Sequence, residues 1–397
     1  MPAALATIEP ILKERYAPKI REQLNDEVVF LNRIEQSSDR ISSDTEGKYV
    51  TFPIHVRRNN GIGSRTENQP LPVPGNQGYA NARVQLKLAY GGIEVTGAAI
   101  SMSDSNPKAF AKVIDEETRG LKDDLRKDLN RQFYGNGSGA ISAVGANGTT
   151  TTITVNDARA FQIGMKIDVI TAPSTVVATR IVNAVNIANR EITVDQATTT
   201  TAGQLLTRQG SAANEMTGFD AIIRDTGLLY NINPSTEPEW KAVVKGNSGT
   251  PRQLTESLMT ELTDDIRVNG GKTTLILYSL GVRRSYANLL MQMRQVVNKT
   301  EFKGGFSGLA FTTDRGEIPV LADPDAPLGT ANFINEDALT LYRDEPWHWL
   351  DQDGSMWKQK VDSNGVYNAW YAHMGEFHEL ATDRRNTHGK LTDLIES

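Results

Sequence analysis

The 397-residue chain contains no cysteine. Disulfides and thiolate metal sites are therefore excluded, and stability must come from packing, sheets and neighbours. No apolar run approaches the ~18 residues that mark a membrane-spanning helix. The N-terminus, Met-Pro-Ala-Ala-Leu-Ala-Thr-Ile-Glu, has neither a basic head nor a long apolar stretch, so no secretion signal is read there. Positive charge is not in excess either: 42 Lys+Arg stand against 48 Asp+Glu, a net of −6. That balance gives no global case for tight nucleic-acid binding. What remains, 39% hydrophobic and 23% charged residues, is the composition of a soluble chain long enough for two or three domains.

Chemical motifs are equally scarce. Gly270-Gly271-Lys272-Thr273 has the end of a phosphate-binding loop, but position 266 is Ile266 and a strand, not a helix, follows. Gly305-Phe306-Ser307-Gly308 is half of a nucleophile elbow, with Leu309 where the second glycine belongs. His373 and His378, with Glu376 and Glu379, form the one histidine–carboxylate cluster. Helical zinc motifs space their histidines by four, whereas these are five apart and fall on opposite faces of a strand. Trp347, Trp349, Trp357 and Trp370 gather near Tyr367 and Tyr371, which is more usual for core or subunit contact than for a ligand cage. No titratable pair is spaced for acid–base work. The reading is of a non-enzyme with no catalytic, cofactor-binding or metal residues.

What the chain does have is one long helix over residues 106–134. Asn106 caps it and Pro107 opens it. Phe110, Val113, Ile114, Leu121, Leu125, Leu129 and Phe133 form a helical stripe, and Gly135, Gly137 and Gly139 stop it. Asp123 and Lys127 are spaced for an i,i+4 pair, Asp128 and Arg131 for an i,i+3 pair. The length would be roughly 40 Å. The stripe lapses at Glu117 and Thr118, which argues against a coiled-coil strand.

Ahead of this helix, residues 1–45 read as an arm with helical patches broken at Pro18. Residues 48–56 alternate as a strand and 84–90 answer it. Between them lies a stretch rich in glycine, proline and asparagine with almost no core-formers. The spacing predicts a long two-stranded finger with a basic tip: Arg57, Arg58, Arg65 and Arg83 against Glu67. A hairpin alone is marginally stable, so the finger calls for a surface to lie on, and another copy of this acidic chain fits.

After the helix, residues 139–208 turn rich in threonine, valine and isoleucine. Strand-like runs at 150–155, 166–170, 176–186, 191–194 and 205–207 predict a small inserted all-β module. Beyond it the pattern is helix at 255–268, buried strand at 273–279, helix at 282–293, strands at 309–313 and 318–322, a proline turn, strands at 338–342 and 366–373, and a polar tail. That is an α+β pattern.

The order of these parts resembles the major capsid proteins of tailed double-stranded DNA phages, the Hong Kong 97 capsid fold. Gly61-Ile-Gly-Ser-Arg-Thr-Glu-Asn68 resembles that family's E-loop. Tyr90-Gly-Gly-Ile-Glu-Val-Thr-Gly97 and the stretch 110–137 resemble its peripheral strand and spine helix. Glu215-Met-Thr-Gly-Phe-Asp220 resembles the re-entry into the peripheral domain; 273–290 and Ile318-Pro-Val-Leu-Ala-Asp323 resemble the axial domain. The resemblance implies an N-terminal arm at 1–45, E-loop at 46–98, peripheral domain with spine helix at 99–138, β-module at 139–210, peripheral continuation at 211–253, axial domain at 254–345 and returning strands at 346–397. It also implies self-assembly as pentamers and hexamers into an icosahedral shell enclosing double-stranded DNA. No sequence-specific binding and no membrane are involved. Arg57, Arg58, Arg65, Glu67 and Arg83 would make inter-subunit contacts, and Gly91 and Gly92 would be the hinge on which the finger tilts during maturation. Further expected partners are a separate scaffolding protein, since the chain opens at Met1 directly into the arm, a portal and a decoration protein. The subunit would be assembled in the host cytoplasm and reside in the virion. Some members weld subunits through an E-loop lysine; here no lysine lies between Lys48 and Lys87, so the expected shell is not crosslinked. The rival readings are an encapsulin-like compartment and a β-rich hydrolase or adhesin.

Overall fold

The computed structural model describes residues 27–43, 49–99, 113–292, 300–301, 307–343, 347–351, 354–363 and 365–396. Residues 1–26 of the expected arm at 1–45, the helix start at Asn106-Pro107, and Gly305 and Phe306 of the half nucleophile elbow lie outside them. The first elements are α1 (Phe30–Glu35), β1 (Ile41–Ser42), β2 (Val50–Arg57), β3 (Gly78–Val84), β4 (Lys87–Thr96) and α2 (Val113–Gln132). Next come β5 (Ala140–Ala143), β6 (Gly148–Thr154), β7 (Lys166–Thr171), β8 (Thr175–Asn186), β9 (Glu191–Thr200) and β10 (Leu205–Arg208). They are followed by α3 (Phe219–Ile222), β11 (Val243–Lys245), α4 (Glu256–Val268), β12 (Leu275–Tyr278), α5 (Leu280–Gln292), β13 (Thr300–Glu301), β14 (Ser307–Thr313) and β15 (Gly316–Ala322). The chain closes with β16 (Ala331–Ile334), β17 (Leu339–Arg343), β18 (His348–Trp349), β19 (Lys358–Asp362), β20 (Gly365–Thr382) and β21 (Gly389–Leu391).

The chain divides into two compact units. The smaller takes its described residues from 90–125 and 349–374. In it β19 pairs antiparallel with the first half of β20, Lys358 opposite Tyr371 and Val361 opposite Val366. Strand β4 also pairs with β20, and Lys360 reaches Glu94 at 2.7 Å. Gly91 and Gly92 have a packing reason for lacking side chains. A Cβ on Gly91 would lie 2.8 Å from Leu121 Cδ1 and Leu125 Cδ2, and one on Gly92 would lie 2.7 Å from the His373 ring.

The larger unit has three apolar cores. The first gathers Phe30, Leu31, Leu129, Phe133, Met216, Phe219 and Trp240. Phe30 meets Phe133 edge-on at 4.9 Å and Phe219 at 4.8 Å. The second lies where α4 and α5 pack on a seven-stranded sheet of order β11-β21-β16-β12-β15-β14-β13. Met259, Leu262 and Ile266 form the buried stripe of α4, the i, i+3, i+7 spacing of an amphipathic helix. Thr255 caps that helix by accepting from the Leu258 amide at 3.3 Å. Thr255→Ala is expected to cost ~1 kcal/mol, read as a lower urea midpoint with an unchanged slope.

The third core lies within residues 144–206. Its sheet runs β5-β10-β7-β8-β9-β6, and an antiparallel bridge between Val144 and Val155 joins the two ends of that path. The sheet is therefore a closed six-stranded barrel, lined by Val144, Ile153, Ile167, Val169, Val182, Ile192 and Leu206. Closure leaves no free strand edge.

Four local expectations are corrected. The partner of β2 is β3, not 84–90: Val50 faces Val84 and Pro53 faces Asn81. The residues after Val84 form β4, which belongs elsewhere. The end of the chain is not a polar tail, because Leu391 and Leu394 are buried in the second core and β21 is an inner strand of the seven-stranded sheet. A short run without strong alternation, 331–334, is a fully buried strand; burial on both faces erases the period-2 signal. Lys127 does not pair with Asp123; it reaches Asp325 at 2.9 Å, a partially buried tertiary partner that outcompetes an exposed local one. Asp128 and Arg131 do pair, at 3.1 Å.

Candidate assembly interface

The hairpin of β2 and β3 is pinned at its base and free at its tip. Along β2 and β3, side chains alternate between the first core and solvent. Val56, Ala82 and Val84 are buried, with Val50, Phe52, Ile54 and Ala80 packed against that core. The Arg83 amide donates to the Tyr230 carbonyl at 2.9 Å. The expectation that the whole finger is homeless within its own subunit is thus corrected for its base. Beyond the base the chain narrows to a neck: a Cβ on Gly61 would lie 2.5 Å from the Gly75 nitrogen. Past that neck Ile62, Leu71 and Val73 stand 82%, 84% and 82% exposed. Three large apolar side chains thus stand bare on one short loop.

The sequence-predicted contact residues do not form one cluster. Arg57 makes a bidentate pair with Glu237 of its own chain, at 3.0 and 2.5 Å. Its partner raises its pKa further above the usual guanidinium range. Arg83 lies over the Tyr49 ring at 5.9 Å. Arg65 donates to the Ser64 and Pro70 carbonyls and braces the tip. Arg58 and Glu67 are exposed.

Behind the hairpin, buried polar groups that sequence reasoning missed lock the body. Asp323 accepts from the Tyr134 hydroxyl at 2.8 Å, from Asn130 Nδ2 at 3.2 Å and from the Phe30 amide at 3.4 Å. Burial and then the neighbouring Asp325 push its carboxyl up. One carboxylate so joins α1's start, α2 and the turn after β15. The barrel is tied down by Arg208 to Asp128 at 3.1 Å and by Arg159, which donates to the Pro324 and Ala326 carbonyls. Burial pushes Asp128 up, but Arg131 and Arg208 outweigh it and hold it below the ordinary carboxylate range. Arg385 is buried and donates to the carbonyls of Ala221, Ile222, Thr226 and Gly227. The signal for these residues was only their placement among apolar neighbours; their partners lie too far along the chain to be read locally.

The run Gly270-Gly271 leads into β12, and a Cβ on Gly271 would meet Ile266 and the Thr387 backbone rather than a cradle. His373 meets Tyr371 at 5.4 Å and His378 meets Trp347 at 6.4 Å. Among the described residues no three His, Cys, Asp or Glu are grouped to hold a metal, and no helix is long and apolar enough to cross a membrane.

The fold is that of phage capsid subunits. The chain is similar to the capsid asymmetric unit of cyanophage A-1(L), with a TM-score of 0.63, 15% identity, and 98% and 99% of the two chains covered. It is similar to a chain of Mycobacterium phage Bobi (TM-score 0.52, 10% identity, 100% of each chain). It is also similar to the capsid of a native GTA particle (TM-score 0.53, 9% identity, 99% of each chain). No curated protein sequence matches it. The model of the SU10 major capsid protein family matches residues 177–394, more than half of the chain. The chain belongs to that family: it is a structural capsid-shell protein, a component of the virion that self-assembles.

Proposed function

We propose that this subunit assembles as pentamers and hexamers into an icosahedral shell around packaged double-stranded DNA, without enzymatic activity. The hairpin tip is the strap that overlies a neighbour, in the manner of an E-loop. The observation that carries this reading is the contrast within one hairpin, a base buried in its own core and an apolar tip left bare. Burying each of the three tip side chains would contribute ~1.5–3 kcal/mol per contact. Arg58 and Glu67 would flank that contact, while Arg57, Arg65 and Arg83 keep the hairpin in shape for it. The separate scaffolding protein, the portal and a decoration protein are its proposed partners, and the host cytoplasm its place of assembly. The hinge at Gly91-Gly92 is proposed on position: the boundary between the two units crosses β4 just before it.

Negative-stain microscopy of the purified protein tests this. Closed shells of uniform size are expected, and boiled particles should run as a single 43.6 kDa band. A ladder of multiples would overturn the uncrosslinked arrangement. Light scattering that shows only monomer at high concentration would overturn assembly itself. Double-stranded DNA inside particles from infected cells separates a viral shell from an encapsulin-like compartment.

A further inference from the structure

A chain of charges runs through the larger unit, part-exposed at Arg126 and Glu35 and buried at Arg343 and Glu376, and ends at a buried histidine. Arg126 on α2 holds Glu35 on α1 at 2.8 Å. Glu35 accepts from Arg343 Nη1 on β17 at 2.6 Å. Arg343 grips Glu376 on β20 through Nε and, at 2.9 Å, through Nη2. His378, two residues on and 1% exposed, has an Nδ1 with no hydrogen-bond partner. Its nearest charged oxygen is Glu376 Oε1, 3.6 Å away. Glu376 also accepts from the Trp347 amide at 3.3 Å. Trp347 holds a φ of +24°, outside the range that side chains favour, and its indole Nε1 is buried without a partner.

We propose that this cluster is a proton-operated latch: protonated His378 draws Glu376 away from Arg343 and from the Trp347 amide, and so releases the strained Trp347. The proton comes from solvent and settles on Nδ1, the atom that faces Glu376. A displacement under an ångström turns the 3.6 Å approach into a charged hydrogen bond. With His378 neutral, the two arginines and two glutamates balance. Adding a proton leaves one buried positive charge too many, and the guanidinium that Glu376 abandons is left with Glu35 alone. The charged groups acting on the imidazole are Arg343 from β17 and Asp128 from α2, with Glu376 on its own strand beside it. Burial first, and Arg343 next, push His378 down to about 4, with Asp128 opposing. The latch is therefore shut at neutral pH and opens in acid. It does not depend on the shell reading, since every group belongs to one subunit.

The test is hydrogen exchange of the full-length protein between pH 7 and 3.5, corrected for intrinsic rates. The peptide that carries the Trp347 amide should lose at least tenfold protection in one step near pH 4. His378→Gln should move that step at least one pH unit lower, and an unmoved step would overturn the latch. Should the glutamine variant fail to fold, 13C-labelled histidine in the wild-type chain gives a second measure. The His378 resonance must titrate together with the Trp347 release, and titration at a separate pH would equally overturn it. Trp347→Phe should abolish an acid quench of tryptophan fluorescence that accompanies the same step.

Discussion

Excising residues 62–74 and joining Gly61 to Gly75 through a Gly-Gly link should abolish closed particles while leaving the subunit folded. The neck makes this cut possible, because the two strands already meet there. What is removed touches little of its own chain: Ile62, Leu71 and Val73 are more than four-fifths exposed, and Arg65 serves only the tip. Thermal unfolding should therefore stay within a degree or two of the parent. Assembly should not. If each subunit loses about three apolar anchors worth ~1.5–3 kcal/mol apiece, less the cost of ordering the loop, particle yield should fall by a hundredfold or more. A shortened subunit that still closes into shells of normal size would remove the tip from the interface. The milder Leu71→Asp should weaken assembly without preventing it.

Raising the pH from 6.5 to 8 should destabilise the subunit, and Glu379→Gln should remove most of that effect. Glu379 is buried, with Oε1 accepting from the Thr217 amide at 2.7 Å and Oε2 meeting no partner. Burial pushes the carboxyl up to about 8 from an ordinary 4.5. Between those values the folded chain keeps a proton that the unfolded chain has lost, so stability falls as pH rises through that window. At 1.36 kcal/mol per unit the full window is worth ~5 kcal/mol, an upper bound, and the part above pH 6.5 ~2 kcal/mol. His388 acts in the opposite direction. Burial pushes it down to about 3 from 6.5, so its contribution is complete above pH 6.5 and is lost as pH falls. Between pH 4.5 and 6.5 these two slopes cancel, but His378, held down to about 4, adds a rise with pH over the same range, so stability should peak near pH 6.5. Denaturant melts across pH 5 to 9 measure this, and a glutamine variant with an unaltered alkaline slope would show that Glu379 is not the group responsible.

The sequence carried the large elements because their signals are periodic. The stripe of α2, the alternation of β2 and the heptad-like spacing in α4 are read without tertiary knowledge, and so is the change of composition at the barrel. The order of parts was enough to reveal the capsid resemblance. What stayed hidden depends on partners far along the chain. Asp323 and Arg385 look like surface turn residues until Tyr134 and the 221–227 carbonyls surround them. The inner strand at 331–334 has no alternation to detect, and 389–391 is too short to show a period. The proposed contact site was misread: Arg57 and Arg83 belong to the strands at the base, Arg65 and Glu67 past the neck offset each other, and the apolar trio was passed over because isolated isoleucine, leucine and valine in a glycine–proline stretch do not announce a patch. Nor could the sequence show that Arg57 turns back to Glu237.

The barrel's first and last strands lie side by side, Ala143 opposite Leu205 and Ala140 opposite Thr207. Entry and exit are therefore neighbours, and the surrounding chain need not reroute whether the module is there or not. Such a cassette can be gained, lost or exchanged in a single recombination event. The same geometry makes it a natural slot for grafting foreign domains onto the subunit.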